Sequence, residues 1–330
     1  MKIKYLLSQP HCFGFGGFDI QMIATSEAIS KCQVDISKLD VWSRDNKFDI
    51  LHCWGLSFSH YENYLWAKKT GKKLVATILM QDNDTLYAKF KFKVSSLLYK
   101  QRLLTEMLRL PDKVIVVNED QAKICNLNFK IPKDKIHIVP HVVGDIFFKE
   151  DDTININSNN QYVLTVGNVC SRKNQVALAK ACIGENLKLI IIGKVLDGEQ
   201  MYGDELRKLV DKNNHLLTWI YELKENSKEL VEYYKQCSIF ALPSYIEQQP
   251  ISLLEAAAFK KPLLIADRNY AKQKFYRNSC IVDPSLITSI RSGLQRTLNN
   301  PLMFIPPYET LKECQQSEVG KAYTKIYNLL

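Results

Sequence analysis

Short apolar, β-branched runs alternate along the chain with longer stretches of helical periodicity. The first set reads KIKYLLS from Lys2, FDILHCW from Phe48, KLVATIL from Lys73, DKVIVVN from Asp112 and KIHIVP from Lys135. Runs of this kind, apolar on both faces and separated by helix-length segments, predict a parallel sheet covered by helices on both sides. The rhythm pauses between Asp145 and Asn160, where the polar run NSNN closes a stretch without strand character. It restarts with YVLTVG, LKLIIIG, LLTWIY, SIFALPS and KPLLIAD. Two doubly wound α/β domains are therefore expected, about 1–149 and 150–306, because so many parallel strands overfill one small sheet. From Pro307 to Leu330 the apolar positions Leu311, Cys314, Val319, Tyr323, Ile326 and Leu329 or Leu330 form one helical stripe, with no strand after it.

Composition narrows the class. A chain of 330 residues with 46% hydrophobic content can bury a core in each of two domains. Nothing in it reads as a signal peptide or a membrane-spanning run. Nine cysteines without a CxxC pair or a Cys/His cluster argue against structural zinc and a disulfide framework, and for reduced thiols in a cytosol. The formal charge of +9 suggests an anionic partner: nucleic acid, a phosphorylated small molecule or an acidic membrane surface. No basic-aromatic RNA signature, zinc finger or helix-turn-helix pattern accompanies it, so no nucleic-acid partner is expected.

The most informative stretch is SIFALPSYIEQQPISLLEAAAFKK, from Ser238 to Lys261. A strand ends at Pro243 and Ser244, a polar loop follows, and a helix opens near Pro250. The backbone N–H groups of its opening turn, from Gln249 to Leu253, suit an anion or a sugar hydroxyl. Glu247 precedes the helix and Glu255 lies within its apolar run, where a carboxylate needs hydroxyl donors such as those of a ribose. A loop acid and a solvated helix residue are the plain alternatives; the strand-to-helix junction favours the ligand reading.

Three further segments carry candidate chemistry. Gly14, Gly16 and Gly17, in the order GFGGFD, follow the first strand and read equally as a bare turn or as a loop that lets a phosphate approach the backbone. His11 and His52 stand at strand ends, and neither is assigned as a base. The basic stretch 87–110, rich in Phe and Leu, reads either as a helix resting on an anionic membrane surface or as a core helix with a cationic outer face.

The segment around Glu247 and Glu255 resembles the donor-site signature of the retaining GT-B glycosyltransferases, the glycosyl transferases group 1. FDILHCWG, DKVIVVNED, KIHIVPHVVGDIFF, VLTVGNVCSRKNQ and LLTWIYELKENSKELVEYYKQCSIFALPS resemble successive segments of that family. The likeness implies two Rossmann-like domains, with the last helix returning to the first. It implies a metal-independent enzyme without a cofactor that moves a sugar from a nucleoside diphosphate donor, UDP being the commonest carrier, with retention. The acceptor it implies is a glycan or lipid-linked saccharide, as in bacterial surface polysaccharide assembly, handled in the cytoplasm or at the inner face of the membrane.

Residue by residue, the resemblance makes Glu247 the contact to the donor sugar, Glu255 the ribose ligand and Lys173 the phosphate-binding lysine, with Arg172 beside it. It places Gly167, Asn168, Tyr221, Gln249, Pro250, Ile251 and Ser252, with Gly16 and Gly17 of the first domain, around the donor. Asn168 stands where the family has arginine, Tyr221 where a glycine is usual and His141 where an asparagine is usual. Leu79 to Asp82 read LMQD where a histidine is expected. The missing histidine and Asn168 leave a non-catalytic subunit supporting a partner enzyme as one alternative; a nucleotide-sugar epimerase, which shares donor binding but lacks an acceptor groove, is another.

Overall fold

A computed structural model describes residues 1–80, 99–148 and 161–330. The chain forms two compact units, Met1–Val142 together with Glu313–Leu330, and Val143–Lys312.

The first unit holds a six-stranded parallel sheet built from β1 (Lys2–Leu7), β2 (Asp35–Lys38), β3 (Ile50–Trp54), β4 (Lys73–Thr77), β5 (Lys113–Val116) and β6 (Ile136–Ile138), in the order β2-β1-β3-β4-β5-β6. Among the described residues before the linker, its helices are α1 (Gly17–Lys31), α2 (Tyr61–Lys69), α3 (Tyr99–Arg109) and α4 (Glu119–Leu127). The period of two along each strand sorts side chains to opposite faces. On β3, Leu51 and Cys53 join the core beneath α2, α3 and α4, while Ile50 and Trp54 join the one beneath α1. Strand β2 reads DISK and lies at the sheet edge, where one-sided burial tolerates the polar residues that hid it in the sequence.

The second unit repeats the design with β7 (Tyr162–Val166), β8 (Lys188–Ile192), β9 (Leu217–Ile220), β10 (Ile239–Leu242), β11 (Leu263–Ala266) and β12 (Cys280–Val282), in the order β12-β11-β10-β7-β8-β9. Its helices are α5 (Gln175–Gly184), α6 (Gln200–Lys212), α7 (Lys228–Gln236), α8 (Ile251–Ala258), α9 (Ile287–Asn299) and α10 (Tyr308–Leu311). Strand order reverses between β7 and β10, the place where an open parallel sheet leaves a crevice at its carboxyl edge.

The units divide at Val142 and Val143 and again at Lys312 and Glu313, rather than near 149/150 and 306/307. Aromatic packing explains both offsets. Phe147 meets Tyr234 edge-on at 5.5 Å and Phe259 at 5.5 Å, so the chain has joined the second unit before the polar run begins. Tyr308 lies 6.3 Å from the Phe148 ring, with the Lys260 ammonium 5.1 Å above its own ring, which keeps α10 with that unit too.

The last helix, α11 (Gln316–Tyr327), belongs to the first unit. It lies so close to α1 that a Cβ on Gly320 would come within 2.4 Å of the Ala28 carbonyl oxygen. Its apolar stripe buries Val319, Tyr323, Ile326 and Tyr327, while Leu329 is exposed. The tyrosines meet a buried histidine: His52 Nδ1 lies 2.7 Å from Tyr327 Oη and its Nε2 lies 2.8 Å from Thr77 Oγ1. Burial drives the His52 pKa down to about 3, so the ring is neutral and serves the packing of α11. Tyr327→Phe leaves His52 Nδ1 buried without that partner, and thermal unfolding is expected to show a loss of about 1–3 kcal/mol.

Within the basic stretch, residues 87–98 lie outside the described residues. The remainder, α3, buries Met107 and Leu108 in the core. No helix among the described residues is long and apolar enough to cross a membrane.

Candidate functional site

Two loops meet at the carboxyl edge of the second sheet, one after β7 and one after β10, on strands that are hydrogen-bonded neighbours. The first begins at Gly167 with φ of 138° and passes Gly193, the residue after β8, with φ of 149°. A Cβ on Gly193 would sit 2.2 Å from the Gly167 carbonyl oxygen, so this close backbone approach requires glycine. Ser171–Lys173 then form a short 3₁₀ turn. Its start is held by Glu199, which accepts from Ser171 N–H at 3.2 Å and from Ser171 Oγ at 2.8 Å. Its end is held by Asn174, in the left-handed conformation, whose amide donates to the carbonyls of Pro243 and Pro284.

The loop after β10 is fastened to this turn by a main-chain bond and by the Arg172 side chain. Tyr245 N–H donates to the Arg172 carbonyl at 2.9 Å, and Arg172 Nη1 donates to the Ile246 carbonyl at 2.6 Å. Fastening brings the Glu247 carboxylate to the two cations. Its Oε1 lies 3.0 Å from Lys173 Nζ, 2.9 Å from Arg172 Nη1 and 3.1 Å from Ser244 Oγ. The Glu247 side chain is only 8% exposed and that of Lys173 12%. Burial by itself would push the Glu247 pKa up, but the Lys173 and Arg172 charges and the donors from Lys173 and Ser244 outweigh it and hold the carboxyl below its ordinary range. Oε2 has no protein partner among the described residues, which leaves one acceptor and a net positive charge for a ligand.

Glu255 stands apart from this cluster, in mid-α8. Its Oε2 accepts from the hydroxyl of Tyr234 on α7 at 2.6 Å. Desolvation raises its pKa to about 7; the Tyr234 hydroxyl pulls the other way, and the negative charge of Glu225 adds to the rise. A carboxyl poised at neutrality, one of whose two oxygens is held from inside the protein, is suited to receive neutral donors such as hydroxyls.

Helix α8 opens at Pro250, as the sequence implies, but the supply of free amides is smaller than expected. Leu253 N–H already donates to the Pro250 carbonyl at 3.2 Å, so the anion-facing amides narrow to Ile251 and Ser252. Gln249 is buried, and its amide donates to Gln273 Oε1 at 3.0 Å. Asn168 gives its carbonyl to the Gln175 side chain, which braces the loop from behind. Tyr221 follows β9 and is 54% exposed, beside Trp219.

The glycine loop of the first unit does not fit a phosphate turn at Gly16. That residue caps α1, and its N–H donates to the Asp19 carboxylate at 2.9 Å, which occupies the amide with a negative charge. Gly17 is the first residue of α1. His11 Nε2 lies 3.6 Å from Asp19 Oδ1. The structure thus assembles Arg172, Lys173, Gly167 and Glu247 in one cluster, with Glu255 on the helix that follows. Sequence reasoning missed Ser244, Tyr234 and Glu199. Ser244 was within reach as the last residue of the ALPS strand end; nothing in the sequence marks the other two.

The family model for Glycosyl transferases group 1 matches residues 147–316, and that for Glycosyltransferase Family 4 matches residues 30–144. No curated protein matches the chain. Among solved structures, the chain is similar to sucrose-phosphate synthase from Thermosynechococcus elongatus, with TM-score 0.76 and 15% identity over 100% of this chain and 99% of that one. It is similar to a glycosyltransferase from Rickettsia africae ESF-5, with TM-score 0.69 and 14% identity over 99% and 97%. A third match is Anabaena HepE in complex with UDP-glucose, with TM-score 0.72 and 12% identity over 100% of both chains. At such identities the structural matches speak for the fold, while the first family model spans more than half the chain. With two parallel six-stranded sheets and this match, the chain belongs to the glycosyl transferases group 1 family and is a glycosyltransferase of the GT-B fold.

Proposed function

We propose that the enzyme transfers a sugar from a UDP-sugar to a hydroxyl of a glycan or lipid-linked saccharide, with retention at the anomeric carbon and without a metal ion. The observation that carries the reading is the three-donor grip on a single oxygen of Glu247, which holds Lys173 and Arg172 together at a strand-to-helix crevice. In the reaction the bond from the anomeric carbon to the diphosphate oxygen breaks and its electron pair stays on the diphosphate. The acceptor oxygen forms the new bond from the same face, and its proton passes to the leaving diphosphate oxygen. Lys173 and Arg172 meet the charge that develops there, a form of electrostatic stabilisation that needs no metal. Glu247 Oε2 accepts from a hydroxyl of the donor sugar, Glu255 from the ribose, and the Ile251 and Ser252 amides face the anionic part of the donor. Support for uridine as the base comes from HepE, whose structure holds UDP-glucose.

The test is release of UDP from a panel of UDP-sugars, with and without saccharide acceptors, in excess chelator, and proton NMR of the product's anomeric configuration. Acceptor-dependent release with the donor's configuration is expected. Inverted product overturns retention, and sugar isomerisation without an acceptor favours an epimerase.

A further inference from the structure

We infer that Tyr234 is a positioning residue for nucleotide binding: its hydroxyl fixes the Glu255 carboxylate so that the opposite oxygen is presented to the ribose. This rests on the ribose being held by Glu255, as proposed above.

The geometry leaves Tyr234 little freedom. The side chain is fully buried, its ring stacks on Phe240 at 5.4 Å and 14°, and Phe147 meets it edge-on. Three aromatic neighbours, Phe259 included, thus aim one hydroxyl at Glu255 Oε2, 2.6 Å away. The partner belongs to a different helix, so the bond ties α7 to α8 and fixes both the rotation of the carboxyl group and the choice of free oxygen. Oε1 has no protein partner among the described residues. Burial raises the Tyr234 pKa well above its ordinary value, so the phenol keeps its proton and donates to the ionised carboxylate.

The hydroxyl also stabilises charge. Two groups act on the Glu255 pKa, Tyr234 lowering it and Glu225 raising it, on top of desolvation. Ribose hydroxyls donate best to the ionised carboxylate, so UDP affinity is expected to rise with pH through about 7. Removing the phenol hydroxyl takes away the one donor that favours ionisation, which moves that rise to higher pH. Weak affinity at neutral pH and partial recovery in alkali are the signature of a phenol donating to the Glu255 carboxylate, the unrecovered part being the lost orientation; a merely structural role weakens binding equally at every pH.

The experiment is calorimetric titration of UDP into wild type, Tyr234→Phe and Glu255→Gln from pH 6 to pH 9, repeated with 2′,3′-dideoxy-UDP. For Tyr234→Phe we expect affinity about tenfold weaker at pH 7, recovering toward wild type by pH 9, and a smaller advantage of UDP over its dideoxy form. Wild-type affinity throughout, or a loss of the same size at every pH, overturns the proposal. If Glu255→Gln binds UDP as wild type does, the ribose assignment itself has failed, an outcome distinct from failure of Tyr234 alone. Should Tyr234→Phe not fold, 3-fluorotyrosine placed at 234 gives a more acidic phenol and a stronger donor. The pH midpoint must then move down, and an unmoved midpoint overturns the inference.

Discussion

Glu247→Ala is expected to lower kcat/KM by about 10³-fold or more, because it removes the carboxylate proposed to face the donor sugar and releases both cations from their common oxygen. Lys173, only 12% exposed, is left without its ion partner. Arg172 keeps its bond to the Ile246 carbonyl and stays near its place. Glu247→Gln separates the two effects. It retains the acceptor toward the cations and the shape of the side chain but loses the charge, so a part of the activity should survive. The fold should tolerate both changes at neutral pH, since the loops remain joined through Tyr245 N–H and Arg172. The pH dependence of stability follows from the depressed pKa. In the unfolded chain Glu247 titrates near its ordinary 4.5 and in the folded protein below that. Its stabilising contribution is therefore complete above about pH 4.5 and lost as pH falls through the lower folded value. Thermal melts of wild type and Glu247→Gln should differ most above pH 5 and converge in acid.

Gly193→Ala carries the second large effect, and it acts on the backbone. The added methyl would lie 2.2 Å from the Gly167 carbonyl oxygen at a φ of 149°, a contact and a conformation that an L side chain does not accept. The clash partner is main chain, so no side-chain rotation relieves it. A cost of about 3 kcal/mol, or a drop of roughly 10 °C in the second unit's melting temperature, is expected. Because Gly167 begins the loop that carries Arg172 and Lys173, UDP affinity should fall with it. Gly198→Ala is the control: its glycine also has positive φ, 86°, but nothing lies within 4 Å of the added Cβ. That variant should lose stability without losing UDP binding.

How legible the fold was depended on burial. Strands β7, β8, β10 and β11 are covered on both faces and read as continuous apolar runs. Strands β2 and β12 sit at sheet edges, are four and three residues long, and leave no such trace. In the site, Glu247 and Lys173 stood out because charged residues at strand-to-helix junctions are in the place where parallel sheets bind ligands, and Glu255 because a carboxylate within an apolar helical run needs donors. Tyr234 did not, since it sits beside Tyr233 in an amphipathic helix and only packing decides which of the two reaches Glu255. The glycine loop reads two ways in the sequence for a related reason. GFGGFD contains its own anion, and the sequence alone does not show that Asp19 folds back onto the Gly16 amide. The polar run after Asp145 marked a change in composition; the boundary between the units comes earlier, because Phe147 had already committed the chain to the second core.

The most direct test of a nucleotide site at Glu255 is thermal unfolding of wild type and Glu255→Ala at pH 8 with increasing UDP. A ligand that binds only the folded state raises the melting temperature with its concentration. Wild type is expected to show a concentration-dependent rise that Glu255→Ala largely removes; an equal rise in both proteins, or none in either, contradicts a nucleotide site at Glu255.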